Sequence, residues 1–359
     1  IQDQAAKLLH MSGTDFYYRP QVELAERLAR LAPGPSPKKV FFANSGAETV
    51  DGALKLARRH THRTRAVAFL GAFHGRTYGA MSLSASKPAH RRGFGPLVPD
   101  VHHVPYPRGD GDDAIRALED LFRRTCPPDE VAAVFVEAVQ GEGGYRVAPP
   151  GFLPALRQLC DRHGILLVAD EIQSGMGRTG KLFAVEHFPG VEPDVVCCAK
   201  GIASGLPLGA IIARAEVMDW PSGSHASTFG GNPVACRAAL VTLDLLEREY
   251  TANAAARGEQ LRRGLRELAA EHDVLADVRG LGLMTAVDVV DPATGRPDPA
   301  ARDAVVTAAF RRGLLLLGCG DAAVRFCPPL CVTASQVDDA LRLVGEAAAA
   351  VEAVAASRV

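Results

Sequence analysis

Apolar positions alternate between helical and strand spacing along most of the chain. In Gln21–Leu31 they fall at Val22, Leu24, Ala25, Leu28, Ala29 and Leu31, and the run stops at Pro33, which predicts an amphipathic helix. A short apolar run, Lys39–Ala43, follows. Ser45 and Glu48 then have the spacing of a capping box, opening a helix that continues to about Arg59. Ala66–Leu70, Val101–Val104 and Val131–Val136 read as buried strands, with a helix over Asp112–Phe122. Pro149–His163 reads as a helix with Gly164 at its C-cap, and Ile165–Ala169 as a buried strand. Val195–Ala199 and Leu208–Ala213 are further strands, and Asn232 to about Leu268 is one long helical stretch. Strands alternating with helices predict an α/β fold with a mostly parallel central sheet covered on both faces.

The texture changes near Thr251. Charged, Arg-rich helix gives way to an alternating segment, Val278–Val290, and to the turn-rich DPATGRPDP. A helix over Ala301–Arg312, strands at Leu314–Leu317 and Val324–Phe326, and a final Ala-rich helix complete the chain. The expectation is a large domain over residues 1–250 and a smaller α+β domain over 251–359. The opening IQDQAAKLLHM reads as mid-helix and starts at Ile1, so residues are expected to precede it and the large domain to lack its start.

Composition narrows the function classes. The 359 residues carry 40 Lys plus Arg and 41 Asp plus Glu, a net charge of −1, which argues against binding nucleic acid or anionic lipid through bulk charge. No apolar run approaches the roughly 20 residues that span a bilayer. The eight cysteines (Cys126, Cys160, Cys197, Cys198, Cys236, Cys319, Cys327 and Cys331) form no CxxC pair, and several lie in apolar runs. They read as buried free thiols of a reducing, cytoplasmic compartment. His60 with His62, and His102 with His103, lack further ligands at zinc-like spacing, so no metal is expected.

Three places carry candidate chemistry. Ser45, Gly46 and Ala47 enter a helix after a strand, where free N–H groups and the helix dipole can hold a phosphate; a plain helix cap uses the same residues. Asp170 and Glu171 end a buried strand, which is costly unless a cation meets them or they turn into a solvated loop. Lys200 closes the apolar VVCCA and precedes glycines. Partial desolvation there would lower its pKa and free the amine as a nucleophile, although a snorkelling lysine has the same sequence. An amine, an anion cradle and a carboxylate are together what pyridoxal phosphate requires: Lys200 for a Schiff base, Asp170 for the ring nitrogen, and the helix start for the phosphate.

The stretch LLVADEIQSGMGRTGKLFAVEHFPGVEPDVVCCAKGIASGLPLGA resembles the signature of the class III pyridoxal-phosphate aminotransferases, which include 4-aminobutyrate, ornithine and acetylornithine aminotransferases. FFANSGAET, GAFHGRT, VEAVQGEGG, HASTFGGNP and RFCPPL occur in the family's order around it. The resemblance implies the fold-type-I architecture and a transaminase that moves an amino group from an amino acid, an ω-amino acid in particular, to 2-oxoglutarate. It assigns Lys200 as the Schiff-base lysine, Asp170 to the ring nitrogen, Gln173 near the ring hydroxyl and Phe73 to stacking on the ring. His74, beside Phe73, joins the cofactor-binding set. Thr228 would reach the phosphate of a neighbouring subunit, which implies a homodimer with shared sites. Arg325 would bind the substrate α-carboxylate, with Glu142 as its movable partner. Arg76 would bind a distal carboxylate or form a structural salt bridge. Ala138 stands where the family has Pro, and the family places a strand and substrate-pocket residues ahead of Ile1. An amino-acid racemase or epimerase shares this fold and cofactor and is the main alternative. Gly175–Lys181 also satisfies the P-loop pattern G-x-x-x-x-G-K, making an ATPase the remote one, although Leu182 stands where a P-loop has Ser or Thr.

Overall fold

The computed structural model describes residues 1–356, and the chain divides into two compact units. The first comprises Ile1–Ala138, Ala148–Met176 and Phe183–Arg248; the second comprises Val139–Val147, Gly177–Leu182 and the chain from Glu249 onward. The first unit holds helices α1 (Gln2–Lys7), α2 (Arg19–Leu31), α3 (Gly46–Thr61), α4 (Tyr78–Leu83), α5 (Asp112–Arg124), α6 (Phe152–His163) and α7 (Pro233–Leu245). Its strands are β1 (Lys38–Ala43), β2 (Arg65–Phe69), β3 (Val101–Val104), β4 (Val131–Val136), β7 (Leu166–Asp170), β8 (Val195–Cys198) and β9 (Gly209–Arg214). They form one sheet in the order β1-β9-β8-β7-β4-β2-β3, in which only β9 runs against the others.

Every residue of β4 is buried, as a parallel strand covered on both faces must be. The register sets the ends of the strands side by side: Ala43 pairs with Gly209, Cys198 with Ala210, Asp170 with Cys197, and Val136 with Ala169. The segments that follow β1, β4, β7 and β8 therefore emerge along one edge, where open α/β sheets gather ligands.

The second unit holds a short hairpin, β5 (Val139–Gln140) with β6 (Arg146–Val147), and an antiparallel sheet in the order β10-β11-β13-β12. Those four strands are β10 (Leu275–Leu281), β11 (Met284–Val289), β12 (Leu317–Cys319) and β13 (Ala323–Phe326). Helices α8 (Thr251–Glu271), α9 (Pro299–Arg311) and α10 (Ala334–Ala356) complete it. Two segments from within residues 1–250 belong to this unit because their backbones are tied into it. Arg279 Nε donates to Gly144 O at 2.8 Å, and Leu283 N donates to Arg178 O at 2.9 Å.

Several expectations need correction. The long helical stretch after Asn232 is α7, a π-helical turn over Leu246–Tyr250, and α8. The alternating segment Val278–Val290 proves to be much of a hairpin, turned at Gly282 in a left-handed conformation (φ +52°). Leu314–Leu316 is not a strand; β12 begins only at Leu317, and Leu315 and Leu317 are 77% and 61% exposed. Six cysteines are buried free thiols, but Cys327 and Cys331 are exposed. Among the described residues no helix is long and apolar enough to cross a membrane. No cluster of metal-ligating side chains is present among them either.

Candidate active site

Ser45 is the N-cap of α3. Its Oγ accepts from Glu48 N at 3.3 Å, which is half of the predicted capping box. The other half shifts by one residue: Glu48 Oε2 accepts from Asn44 N at 2.8 Å and Asn44 Nδ2 at 3.0 Å, not from Ser45. The N–H groups of Gly46 and Ala47 begin the helix, where its dipole favours an anion. The cradle is tight. A Cβ on Gly46 would lie 2.9 Å from Ile172 Cγ2, and one on Gly209 would lie 2.7 Å from Ser45 O. Ser227 fastens a second loop to this corner, its Oγ accepting from Asn44 Nδ2 at 2.9 Å and Gly230 N at 3.1 Å. Thr228, beside Ser227, is exposed.

Asp170 ends β7 and is 4% exposed. Its Oδ2 lies 2.7 Å from His74 Nδ1, and its Oδ1 accepts from Ile172 N at 3.0 Å. Within the chain, the group that meets Asp170 is thus the imidazole of His74. Burial pulls this imidazole's pKa down, but the hydrogen bond and charge of Asp170, with Glu137 nearby, outweigh it and the net direction is upward. His74 Nε2 is buried without a hydrogen-bond partner. Glu171 does different work. It accepts from Ser174 Oγ at 2.8 Å, Ala184 N at 2.9 Å and Val185 N at 2.8 Å, capping the short 3₁₀ turn Ala184–His187. Neither carboxylate turns into a solvated loop.

Phe73 is half-buried, and its N–H donates to Glu137 Oε2 at 3.2 Å. Arg76 is exposed and holds its guanidinium carbon 5.7 Å from the Phe73 ring centroid, a cation–π contact. Gln173 is half-buried in the turn after β7. Lys200 follows the end of β8 in a left-handed backbone (φ +53°), an unfavourable conformation for a residue with a Cβ and one concentrated at functional sites. It is exposed, not desolvated by the chain.

In the second unit, Arg325 on β13 pairs with Glu142 in the turn between β5 and β6, Nη1 to Oε1 at 2.6 Å, with both side chains more than four-fifths buried. Burial lowers the guanidinium's pKa, and Glu142 more than restores it, so the net direction is upward.

The residues of the first unit fit pyridoxal phosphate on their own chemistry. A lysine amine, a buried carboxylate and a helix start lie at strand ends along one sheet edge, and neither Gly46 nor Gly209 has room for a Cβ beside that helix start. Sequence reading missed Glu137, Ile172 and Ser227. Glu137 had a signal, an acid ending a wholly apolar strand; Ile172 and Ser227 matter only through folding.

The other candidates resolve into structure. Gly175–Lys181 leads only into the four-residue 3₁₀ turn, so the phosphate-binding helix of a P-loop is missing. Arg178 of that loop donates to Leu283 O at 3.2 Å and Pro328 O at 2.6 Å. His60 Nδ1 meets Asp219 Oδ2 at 2.9 Å, His103 Nε2 meets Leu83 O at 3.1 Å, and His62 ends α3 in a left-handed turn.

Known proteins place this arrangement. The profile described as aminotransferase class-III matches residues 1–347. The chain is 44% identical to acetylornithine aminotransferase of Methanopyrus kandleri, over 97% of this chain and 83% of that one. It is 39% identical to isoleucine 2-epimerase of Lentilactobacillus buchneri, covering 98% and 81% of the two chains. Among solved structures, an amine transaminase from an uncultivated Pseudomonas species in its PLP-bound form superposes with a TM-score of 0.88 at 32% identity, covering 97% of this chain and 85% of that one. A transaminase from the marine bacterium Virgibacillus reaches a TM-score of 0.92 at 28% identity, covering 98% and 83%. Motifs, sheet edge and relatives converge: the chain belongs to the class-III aminotransferases and is a pyridoxal-phosphate-dependent enzyme of that family.

Proposed function

We propose that this enzyme moves the amino group of an ω-amino acid, such as 4-aminobutyrate, ornithine or acetylornithine, to 2-oxoglutarate, and that it works as a homodimer in the cytoplasm. The Arg325–Glu142 pair is the observation that carries this reading. A donor with no carboxylate beside its reacting carbon needs a pocket whose cation is already neutralised. The acceptor 2-oxoglutarate has such a carboxylate and needs that cation bare. A planar guanidinium that exchanges Glu142 for a substrate carboxylate serves both. Relatives named for 4-aminobutyrate and acetylornithine support the donor class.

When bound, pyridoxal phosphate supplies an aldehyde that captures amines and a ring that accepts the electron pair released at the substrate carbon. The protein does the rest. Lys200 Nζ would hold the cofactor covalently at rest and would serve as the base that takes the proton from the amino-bearing carbon. Asp170, fixed by His74, keeps the ring nitrogen protonated. Ser45, Gly46 and Ala47 hold the phosphate, with Thr228 contributed across the dimer. Phe73 and Gln173 would help hold the cofactor ring, and Arg76, now over the Phe73 ring, would meet a distal carboxylate.

The test is a donor screen with 2-oxoglutarate. Lys200→Ala is expected to lose turnover and the visible absorbance of the covalently held cofactor. Arg325→Gln is expected to raise KM for 2-oxoglutarate about ten- to hundredfold, the worth of charged hydrogen bonds. An unchanged KM would remove Arg325 from the acceptor site.

The relative named isoleucine 2-epimerase motivates a second reading, in which the proton returns to the substrate's own α-carbon. Incubation with one L-amino acid and no oxo acid separates the two. Appearance of the D-form without pyridoxamine phosphate would replace the transaminase.

A further inference from the structure

The turn that presents Glu142 is loose in composition. Gly141, Gly143 and Gly144 surround the glutamate, and Gly144 lies at φ +111°, a conformation that residues with a Cβ rarely adopt. Glu142 Oε1 nevertheless sits 2.6 Å from Arg325 Nη1, with both side chains mostly buried. A charged contact of that length tolerates little misplacement of the backbone behind it. Hydrogen bonds from more distant parts of the chain hold the turn. Gly320 N donates to Glu142 O at 2.8 Å, and Arg279 Nε donates to Gly144 O at 2.8 Å.

Arg279 is itself clamped. Its Nη2 donates to Asp288 Oδ1 at 2.7 Å, and its Nη1 donates to Asp277 O at 3.0 Å and to Asp277 Oδ2 at 2.7 Å. Asp277 lies where the pairing of β10 with β11 slips, between Ala276 and Arg279, and has a left-handed backbone (φ +44°). Such irregularities re-aim the side chains beside them, and a strained residue persists only where its surroundings impose it. Two carboxylates already answer the single charge of Arg279, so its bond to Gly144 O fixes position and is not needed for charge balance. Only a guanidinium fork can give Nε to the turn while its Nη groups stay with the aspartates.

We propose that Arg279 is a positioning residue for Glu142. By fixing Gly144 it sets how well Glu142 neutralises Arg325, and so how efficiency divides between donors without an α-carboxylate and 2-oxoglutarate. This rests on the reading of Arg325 as the site where Glu142 and a substrate carboxylate exchange. A slack turn leaves Arg325 poorly neutralised when the donor brings no carboxylate, which penalises that half-reaction. The same slackness frees Arg325 for the acceptor. The two substrates therefore respond differently to one loosened turn, which a general loss of folded enzyme does not reproduce.

The holoenzyme is assayed with 2-oxoglutarate and with whichever of 4-aminobutyrate, ornithine and acetylornithine turns over best, each kcat/KM reporting its own half-reaction. In Arg279→Lys a single ammonium is drawn to Asp277 and Asp288, and Gly144 O loses this donor. The variant is expected to lose about threefold to tenfold in kcat/KM for the donor, the strength of one hydrogen bond, while kcat/KM for 2-oxoglutarate does not fall. Calorimetry with glutarate, a dicarboxylate of the same length that cannot react, is expected to show an affinity equal to or above that of the wild type. Glu142→Gln lowers the donor value too, and adding Arg279→Lys lowers it no further, because both act through one contact. The inference is overturned if Arg279→Lys leaves the donor value unchanged while Glu142→Gln lowers it, if both substrates suffer alike, if glutarate binds more weakly, or if the two losses multiply. If Glu142→Gln shifts neither substrate, or no donor of the three turns over, the reading of the Arg325–Glu142 pair has failed and the inference falls with it. Should Arg279→Lys not fold, Asp277→Asn, which takes one charge from the clamp at an exposed side chain, decides by the same split.

Discussion

Asp170 and Glu171 are neighbouring carboxylates, 4% and 1% exposed, and folding assigns them opposite surroundings. Asp170 meets an imidazole; Glu171 meets two backbone N–H groups and a hydroxyl. Burial dominates at Glu171 and pushes its carboxyl from 4.5 up to about 7. At His74, burial is outweighed by Asp170 and Glu137, and the imidazole is also raised. Both groups bind a proton more tightly folded than unfolded, so stability falls as pH rises through their folded values. For Glu171 the loss runs from 4.5 to about 7, and for His74 it continues above the ordinary histidine value. Urea midpoints of the apoenzyme between about pH 5 and 8 are expected to fall, with a shallower slope below about pH 7 in Glu171→Gln. An identical slope would show that Glu171 does not titrate there. That Asp170 needs a partner was legible in the sequence; that His74 is one was not, because His74 lies 96 residues away in the chain.

At the scale of elements, α3 and α8 show how context sets the sign of a substitution. Ser45→Ala removes the N-cap acceptor of α3 and is expected to cost about 1 kcal/mol, whereas Ser45→Gly costs a few tenths, both read from thermal midpoints. Gly258→Ala lies inside α8, where helix propensity alone predicts a gain of up to about 1 kcal/mol. A Cβ there would sit 2.0 Å from Gly282 O, a backbone atom in the turn of the β10–β11 hairpin. The expected result is a loss of about 1–3 kcal/mol, and a stabilised variant would contradict the close approach. Periodicity found most elements, because each buries one face against a layer and its spacing records that face. It failed at Leu314–Leu317, where an apolar run stays largely exposed instead of pairing as a strand. It also ran α7 and α8 together, since a π turn keeps helical spacing of apolar residues.

For the molecule as a whole, a cofactor that binds the folded chain and not the unfolded one must stabilise it. Pyridoxal phosphate at about a hundred times its dissociation constant is expected to add about 2.7 kcal/mol, so stripped enzyme melts lower and regains its midpoint on reloading. Lys200→Ala should regain less. No shift on reloading would mean that the helix start and Asp170 do not hold the cofactor. The order of motifs, the alternation of strands and helices, and the amine, carboxylate and anion cradle were all readable from the chain, because local chemistry and spacing encode them. Folding alone decided that β9 runs antiparallel while the ends of β1, β7 and β8 come to one edge of the sheet, that His74 supports Asp170, and that Glu142 meets Arg325. Those facts depend on sheet order and on contacts between segments tens to hundreds of residues apart, and no local pattern carries such distances.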